Sequence, residues 1–272
     1  MLNATWRLLR NGPAPGAWNM ALDEAILEHV QQGTSAPTLR LYAWAPPCLS
    51  LGLAQPYADV DEERLHALGW DVVRRLTGGR AILHTDELTY SAIGPSTEPR
   101  LAGSVLESYS RLADALAAGL RALGLAIAMS EHKAPAESRA NPVCFEVPSP
   151  YEITVDGRKL VGSAQARRRQ NLLQHGSVPL RGDLTRICQA LVFADEETRR
   201  AAAARLLRSA ITVERALGRA VTFEAGAEAL RQGFESKLHL KFEPAEPSAS
   251  ELRRANELVT QKYGNSSWTR RV

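Results

Sequence analysis

Trp70-Asp71-Val72-Val73-Arg74-Arg75-Leu76-Thr77-Gly78-Gly79-Arg80-Ala81-Ile82-Leu83-His84 reads as a strand from Trp70 to Arg75, a glycine turn, and a second strand from Ala81 to Leu83. Paired glycines after a strand permit positive φ and let a ligand approach the backbone closely. Arginines on both sides suit an anionic or carbonyl-bearing partner. The candidate binding residues of this stretch are Arg74, Arg75, Thr77, Gly78, Gly79 and His84. Taken alone, two glycines more often mark a bulge or a turn. His84, like His175 in Gln174-His175-Gly176-Ser177, is equally a satisfied structural histidine. No Lys-Ser/Thr follows at P-loop spacing, and the dinucleotide fingerprint is absent.

Outward from this turn, Leu88 to Ile93 continues a sheet beyond His84-Thr85-Asp86-Glu87. Upstream lie a short strand at Trp6 to Leu9, a loop over residues 11–16, and an amphipathic helix from Ala17 to Gln31. Strands at Thr38 to Trp44 and Leu49 to Leu53 and a helix at Asp59 to Leu68, closed by Gly69, complete that half. Downstream, Ser104 to Leu123 is the longest helical pattern, and residues 131–150 read as loop. Tyr151 to Asp156 and Arg158 to Ala166 form a hairpin about Asp156-Gly157, and Leu172 to Pro179 returns as a strand. From Asp183 helices dominate: Leu184 to Leu191, Glu196 to Leu207, Val213 to Leu217 with Thr212 as N-cap, Phe223 to Phe234, and Ser250 to Tyr263. The expectation is an α+β fold: a mixed β-sheet core flanked by helices over residues 1–182, with a helical C-terminal third, 183–272, packed on the same core.

The chain has 272 residues and a formal net charge of +3, too small to argue for nucleic acid. The Arg167-Arg168-Arg169 run reads first as a solvated face. No secretory signal opens the sequence, and no apolar run approaches the roughly 18 residues of a membrane span. Three cysteines, an odd number, suit reduced thiols in a cytoplasm, and none has zinc-ligand spacing to histidine, so no metal is expected.

Cys48 and Cys188 sit in strand-like and helical apolar runs and read as buried and inert. Cys144 differs. Asn141-Pro142-Val143-Cys144-Phe145-Glu146-Val147-Pro148 has neither helical nor strand period, and prolines keep it from regular pairing. Fifteen positions on is Lys159, in Gly157-Arg158-Lys159-Leu160-Val161-Gly162-Ser163-Ala164-Gln165. Pairing across the turn sets Thr154 opposite Lys159, and alternation puts Lys159, Val161, Ser163 and Gln165 on one face. Such a row is either substrate-facing or the exposed face of an edge hairpin. A thiol at its reference pKa is only about 3% thiolate at neutral pH, and a nearby ammonium raises that fraction.

Together, Asn19-Met20-Ala21-Leu22-Asp23-Glu24-Ala25, the Arg74 to His84 loop, Gly157 to Gln165 and Leu173-Gln174-His175-Gly176-Ser177 resemble the biotin/lipoate ligase and octanoyltransferase superfamily. The ending Tyr263-Gly264-Asn265-Ser266-Ser267-Trp268 shares in the resemblance. Within it the chain is most similar to the lipoate-ligase-like octanoyl-acyl-carrier-protein:protein octanoyltransferases. The resemblance implies a sheet core of the class II synthetase and biotin ligase kind. It places the acyl-thioester cysteine on Cys144 and the lysine that lowers its pKa on Lys159. Binding residues of the second half become Gly162, Ser163, Gln165 and His175. Lipoate ligases carry a third glycine where this chain has Arg80, and they use adenylation in place of a loop cysteine, so no cofactor is expected.

The implied reaction moves octanoyl from octanoyl-acyl carrier protein to Cys144, then to the lysine of a lipoyl domain, such as that of glycine cleavage protein H. Backbone amides near Gly78-Gly79 or Gly162-Ser163 would hold the oxyanion, at about 3 kcal/mol per donor. Neither nucleic acid nor membrane enters this scheme. The rival readings are an amidotransferase between lipoyl domains, an ATP-dependent lipoate ligase, and a non-catalytic lipoyl-domain scaffold.

Overall fold

The computed structural model describes residues 4–130 and 151–272. In chain order the strands are β1 (Ala4–Ala14), β2 (Thr38–Trp44), β3 (Cys48–Leu51), β4 (Asp71–Arg74), β5 (Ile82–His84) and β6 (Glu87–Pro95). They continue as β7 (Ala128–Ser130), β8 (Glu152–Val155), β9 (Arg158–Lys159), β10 (Gly162–Arg168), β11 (Asn171–Pro179) and β12 (Leu240–Pro244). The helices are α1 (Gly16–Gln31), α2 (Glu62–Leu68), α3 (Val105–Ala122), α4 (Glu196–Ser209), α5 (Val213–Leu217), α6 (Phe223–Leu238), α7 (Ala249–Leu258) and α8 (Ser266–Thr269).

Six strands form the main sheet in the order β10-β11-β6-β2-β1-β12. Pairing is antiparallel from β10 to β2 and parallel from β2 to β12, so the sheet is mixed. Period-two alternation builds its two faces. On β2, Leu39 and Leu41 join the cluster with Leu116, Leu230 and Phe234 of α3 and α6. Tyr42 and Trp44 point the other way, toward Met20, Leu22 and Ile26 of α1. A smaller sheet, β4-β3-β5, buries Leu49 and Leu51 against Leu65, Ile187 and Leu206.

The helix ends follow local chemistry. Ser104 and Glu107 make a reciprocal capping box on α3, as do Ser248 and Glu251 on α7. The Thr212 hydroxyl accepts from Arg215 N at the start of α5, the cap expected there. Gly69, at φ 66°, closes α2.

The mixed sheet with flanking helices agrees with the sequence reading, but several elements differ. β1 runs on through the expected loop to Ala14, with a register shift between Arg10 and Pro13. Leu184–Gln189 is a 3₁₀ turn, and the last long helix stops at Leu258 before a π turn, Val259–Tyr263. The helical third also holds a strand: β12 adds to β1 at the sheet edge, where Pro244 costs no ladder bond.

The expected strand from Arg158 to Ala166 divides in two. Asp156 and Gly157 both take positive φ, and Thr154 does pair with Lys159. β9 ends at Lys159 and β10 begins at Gly162, and through the buried Leu160 and Val161 the chain crosses from the β7-β8-β9 sheet into the main sheet. Lys159 therefore shares no strand face with Ser163 and Gln165.

Candidate active site

Behind the glycine turn, Arg75 is 3% exposed and directs its guanidinium into its own loop. Nη2 donates to the carbonyls of Gly78 and Arg80, both at 2.8 Å, and Nη1 to Ser50 O at 2.8 Å. Nε donates to Thr77 Oγ1 at 3.1 Å, and Nη1 also reaches Ser50 Oγ at 3.2 Å. From those two hydroxyls run two histidine–carboxylate pairs. Thr77 Oγ1 lies 2.7 Å from His175 Nε2, whose Nδ1 faces Asp23 Oδ2 at 3.5 Å. Ser50 Oγ lies 2.8 Å from His84 Nε2, whose Nδ1 is 2.6 Å from Glu87 Oε1. Both relays are satisfied with the ring hydrogen on Nδ1 and each hydroxyl donating to Nε2.

The two carboxylates are themselves held. Arg40, fully buried on β2, pairs with Asp23 at 2.8 Å, and Tyr42 OH and Ser91 Oγ donate to the same carboxyl. Burial works against that charge, yet Arg40 and His175 bring the Asp23 pKa below its ordinary value. Burial pushes the His175 imidazole down, outweighing the pull of Asp23, so the ring is held neutral. Glu87 accepts from Thr89 and Ser177, and Thr89 in turn accepts from Trp44 Nε1 at 2.7 Å. Trp44 stacks on His84, with centroids 3.9 Å apart and planes 8° from parallel.

These groups wall a narrow cavity. Met20, Tyr42, Trp44, Ile82 and Ala164 supply apolar lining. Ser50, Arg75, Gly79, His84, Ser163 and His175 add polar groups to the same lining. Tyr90, whose pKa burial pushes up to about 12, donates its hydroxyl to Ser163 Oγ at 2.8 Å. Gly176 is required beside it: a Cβ there would stand 2.5 Å from Ser163 Oγ and 2.6 Å from the Tyr90 ring. Gly79, at φ 89°, supplies the left-handed turn. The apolar side chains suit an acyl chain and the polar ones its carbonyl. Among the described residues no His, Cys, Asp and Glu cluster could hold a metal ion.

Residues 15–235 match the lipoyl protein ligase A/B catalytic domain. The chain belongs to that family. A relative within it, octanoyltransferase LipM of Moorella thermoacetica, is 42% identical over 269 residues, 98% of either chain. Octanoyltransferase LipM of Bacillus subtilis is 36% identical over 274 residues, 98% of this chain and 99% of that one. Among solved structures, lipoate-protein ligase A bound with ATP superposes with a TM-score of 0.79 at 25% identity, covering 98% of both chains. A bi-partite lipoate protein ligase from Thermoplasma acidophilum shares the fold at a TM-score of 0.83 and 24% identity, over 98% of this chain and 97% of that one.

Within this lipoyl-ligase fold, the expected site residues fall into three groups. Arg75, Gly79, His84, Gly162, Ser163 and His175 line the cavity, with Thr77 and Gly78 bonded to Arg75 and His175 directly behind it. Arg74 and Gln165 lie off it. Arg74 donates to the carbonyls of Gly52, Gln55 and Thr269, while Gln165 Nε2 donates to Ser108 and Gln174, whose amide reaches Tyr90 OH. Lys159 is 4% exposed with Nζ 3.0 Å from Glu152, so it is no solvated hairpin residue; Cys144 lies outside the described residues. Cys48 is fully buried, and burial, with Asp71 and Glu87 nearby, drives its thiol pKa well up. Cys188 is buried too.

Sequence reasoning passed over Asp23, Arg40, Trp44, Ser50 and Glu87. Asp23 and Arg40 carried a signal: each is a charge in the middle of an apolar run, which a fold accepts when the two are paired. Ser50 and Glu87 had none, because only pairing of β3 with β5 brings Ser50 to His84.

Proposed function

We propose that this enzyme takes octanoyl from octanoyl-acyl carrier protein onto Cys144 as a thioester and passes it to the lysine ε-amine of a lipoyl domain, such as that of glycine cleavage protein H. It is an octanoyltransferase, on full-length similarity to relatives of that name; donor, cysteine and acceptor are the parts proposed. The cavity beside Gly78-Gly79 carries the reading, since its lining combines apolar side chains suited to an acyl chain with polar groups suited to its carbonyl.

In the first step the Cys144 thiolate attacks the donor thioester, and the phosphopantetheine thiolate leaves and takes up a proton. In the second, the neutral lysine amine attacks the Cys144 thioester. An amide forms, the thiolate leaves, and the amine gives up one proton. Lys159 favours the thiolate in this scheme. Its position supports the role: buried, paired with Glu152, and three residues from Gly162 at the cavity wall. A reducing cytoplasm suits such a thiol. Among the described residues no helix is long and apolar enough to cross a membrane.

A second reading, adenylation of a free acid, is favoured by the likeness to lipoate-protein ligase A bound with ATP. Donor and energy source separate the two. With octanoyl-acyl carrier protein and a lipoyl domain, the acceptor should gain octanoyl in the absence of ATP and magnesium. Modification that needs ATP and free octanoate or lipoate would assign the chain to the ligases. An octanoylated lipoyl domain serving as sole donor would identify an amidotransferase.

A further inference from the structure

We infer that the segment from Lys262 to Thr269 is a positioning element that holds the glycine loop and the Asp23 helix in register around the cavity; its bearing on catalysis rests on that cavity being the acyl site.

One arm reaches the glycine loop through Arg74, the last residue of β4 and fully buried. Trp268 Nε1 donates to Arg74 O at 2.8 Å, and Arg74 Nε donates to Thr269 O at 2.9 Å, so residue and segment are bonded in both directions. Arg74 Nη1 then grips the turn after β3, at 2.8 Å from Gly52 O and 2.6 Å from Gln55 O. That turn is the floor of the loop. Leu53 N donates to Thr77 O at 2.9 Å, and a Cβ on Gly52 would stand 2.0 Å from Gly79 O.

The second arm reaches α1. Lys262 Nζ lies 2.8 and 2.7 Å from the two oxygens of Glu24, and Tyr263 OH donates to the same carboxylate at 2.7 Å. Glu24 adjoins Asp23, where the His175 relay ends. The indole is fixed between the arms, with Lys262 Nζ 4.2 Å and Arg271 Cζ 4.6 Å from its ring and Tyr263 edge-on at 6.1 Å. None of these side chains lines the cavity, so the segment would act through Arg74 and α1. A segment docked only by apolar burial would need no hydrogen bonds to the residue that launches the loop.

The test is Trp268→Phe, which deletes the indole N–H and keeps an aromatic ring, with Arg74→Lys as a second variant. In folded enzyme whose melting temperature stays within about 5 °C of the parent, kcat for octanoyl transfer should fall about tenfold with the donor KM unchanged. Amide exchange at Leu53 should accelerate in the same protein, and Arg74→Lys should move both readouts the same way. Unchanged kcat and Leu53 exchange in both variants, with normal octanoyl transfer by the parent, would overturn the positioning role and leave the proposed function standing. Faster Leu53 exchange with a parent that transfers no octanoyl would support the positioning and overturn the function. A kcat that falls only in step with the folded fraction would also overturn it.

Discussion

Arg75 sets the glycine turn from within, and the residues behind it fix what each change there should do. Gly52 has no room for a side chain, because the nearest atom to its absent Cβ is backbone, Gly79 O. Gly52→Ala must therefore shift the loop. The expected result is a loss of about 1–3 kcal/mol in unfolding free energy together with a fall in transfer rate, read by thermal unfolding and a single-turnover assay. His175 gives a pH dependence with a definite sign. Its folded pKa lies below its unfolded value, so between the two the unfolded chain binds more protons. The stability it contributes is complete above roughly pH 6.5 and is lost as pH falls through the folded value. Unfolding curves at pH 7.5 and 5.5 should show the wild type losing more stability than His175→Gln. Asp23, whose folded pKa is also depressed, acts in a separate window below about pH 4.

Among the elements, α3 and α6 approach so closely that their glycines meet backbone. A Cβ on Gly233 would stand 2.4 Å from Ala115 O and Gly119 N, and one on Gly119 would stand 2.5 Å from Ala229 O. Gly233→Leu should separate the helices and lower the melting temperature by several degrees, at a cost of about 1–3 kcal/mol. Differential scanning calorimetry reads that directly, and an unchanged midpoint would contradict the crossing. The same scale shows what a sequence carries. The Thr212 cap of α5, the Asp156-Gly157 turn and the pairing of Thr154 with Lys159 are local, and each was legible. The break after Lys159 was not. It comes from the chain changing partners, from β8 to β11, across Leu160 and Val161, and only the partner strands determine that.

Across the whole molecule, the residues beyond Asp183 complete the sheet and one of its faces. β12 pairs with β1, Phe234 and Leu238 pack in the core with α3, and Arg254 and Lys262 anchor on Glu28 and Glu24 of α1. The composition shift to helices made this region read as helical throughout, because a five-residue edge strand ending in proline gives little signal. Part of the candidate site was legible because glycines and histidines in fixed motifs stand out, whereas Ser50 and Glu87 acquire meaning only through the register of β3, β5 and β6. Arg74 shows the limit most plainly. Sequence placed it beside Arg75 as a ligand group, and packing turns it inward onto the carbonyls of Gly52, Gln55 and Thr269. The central claim, a covalent acyl-enzyme, is tested most directly by intact mass after incubation with octanoyl-acyl carrier protein, without ATP or acceptor. The wild type, Cys48→Ala and Cys188→Ala should each gain one octanoyl group and Cys144→Ala none; an adduct that survives in Cys144→Ala, or none in the wild type, would contradict it.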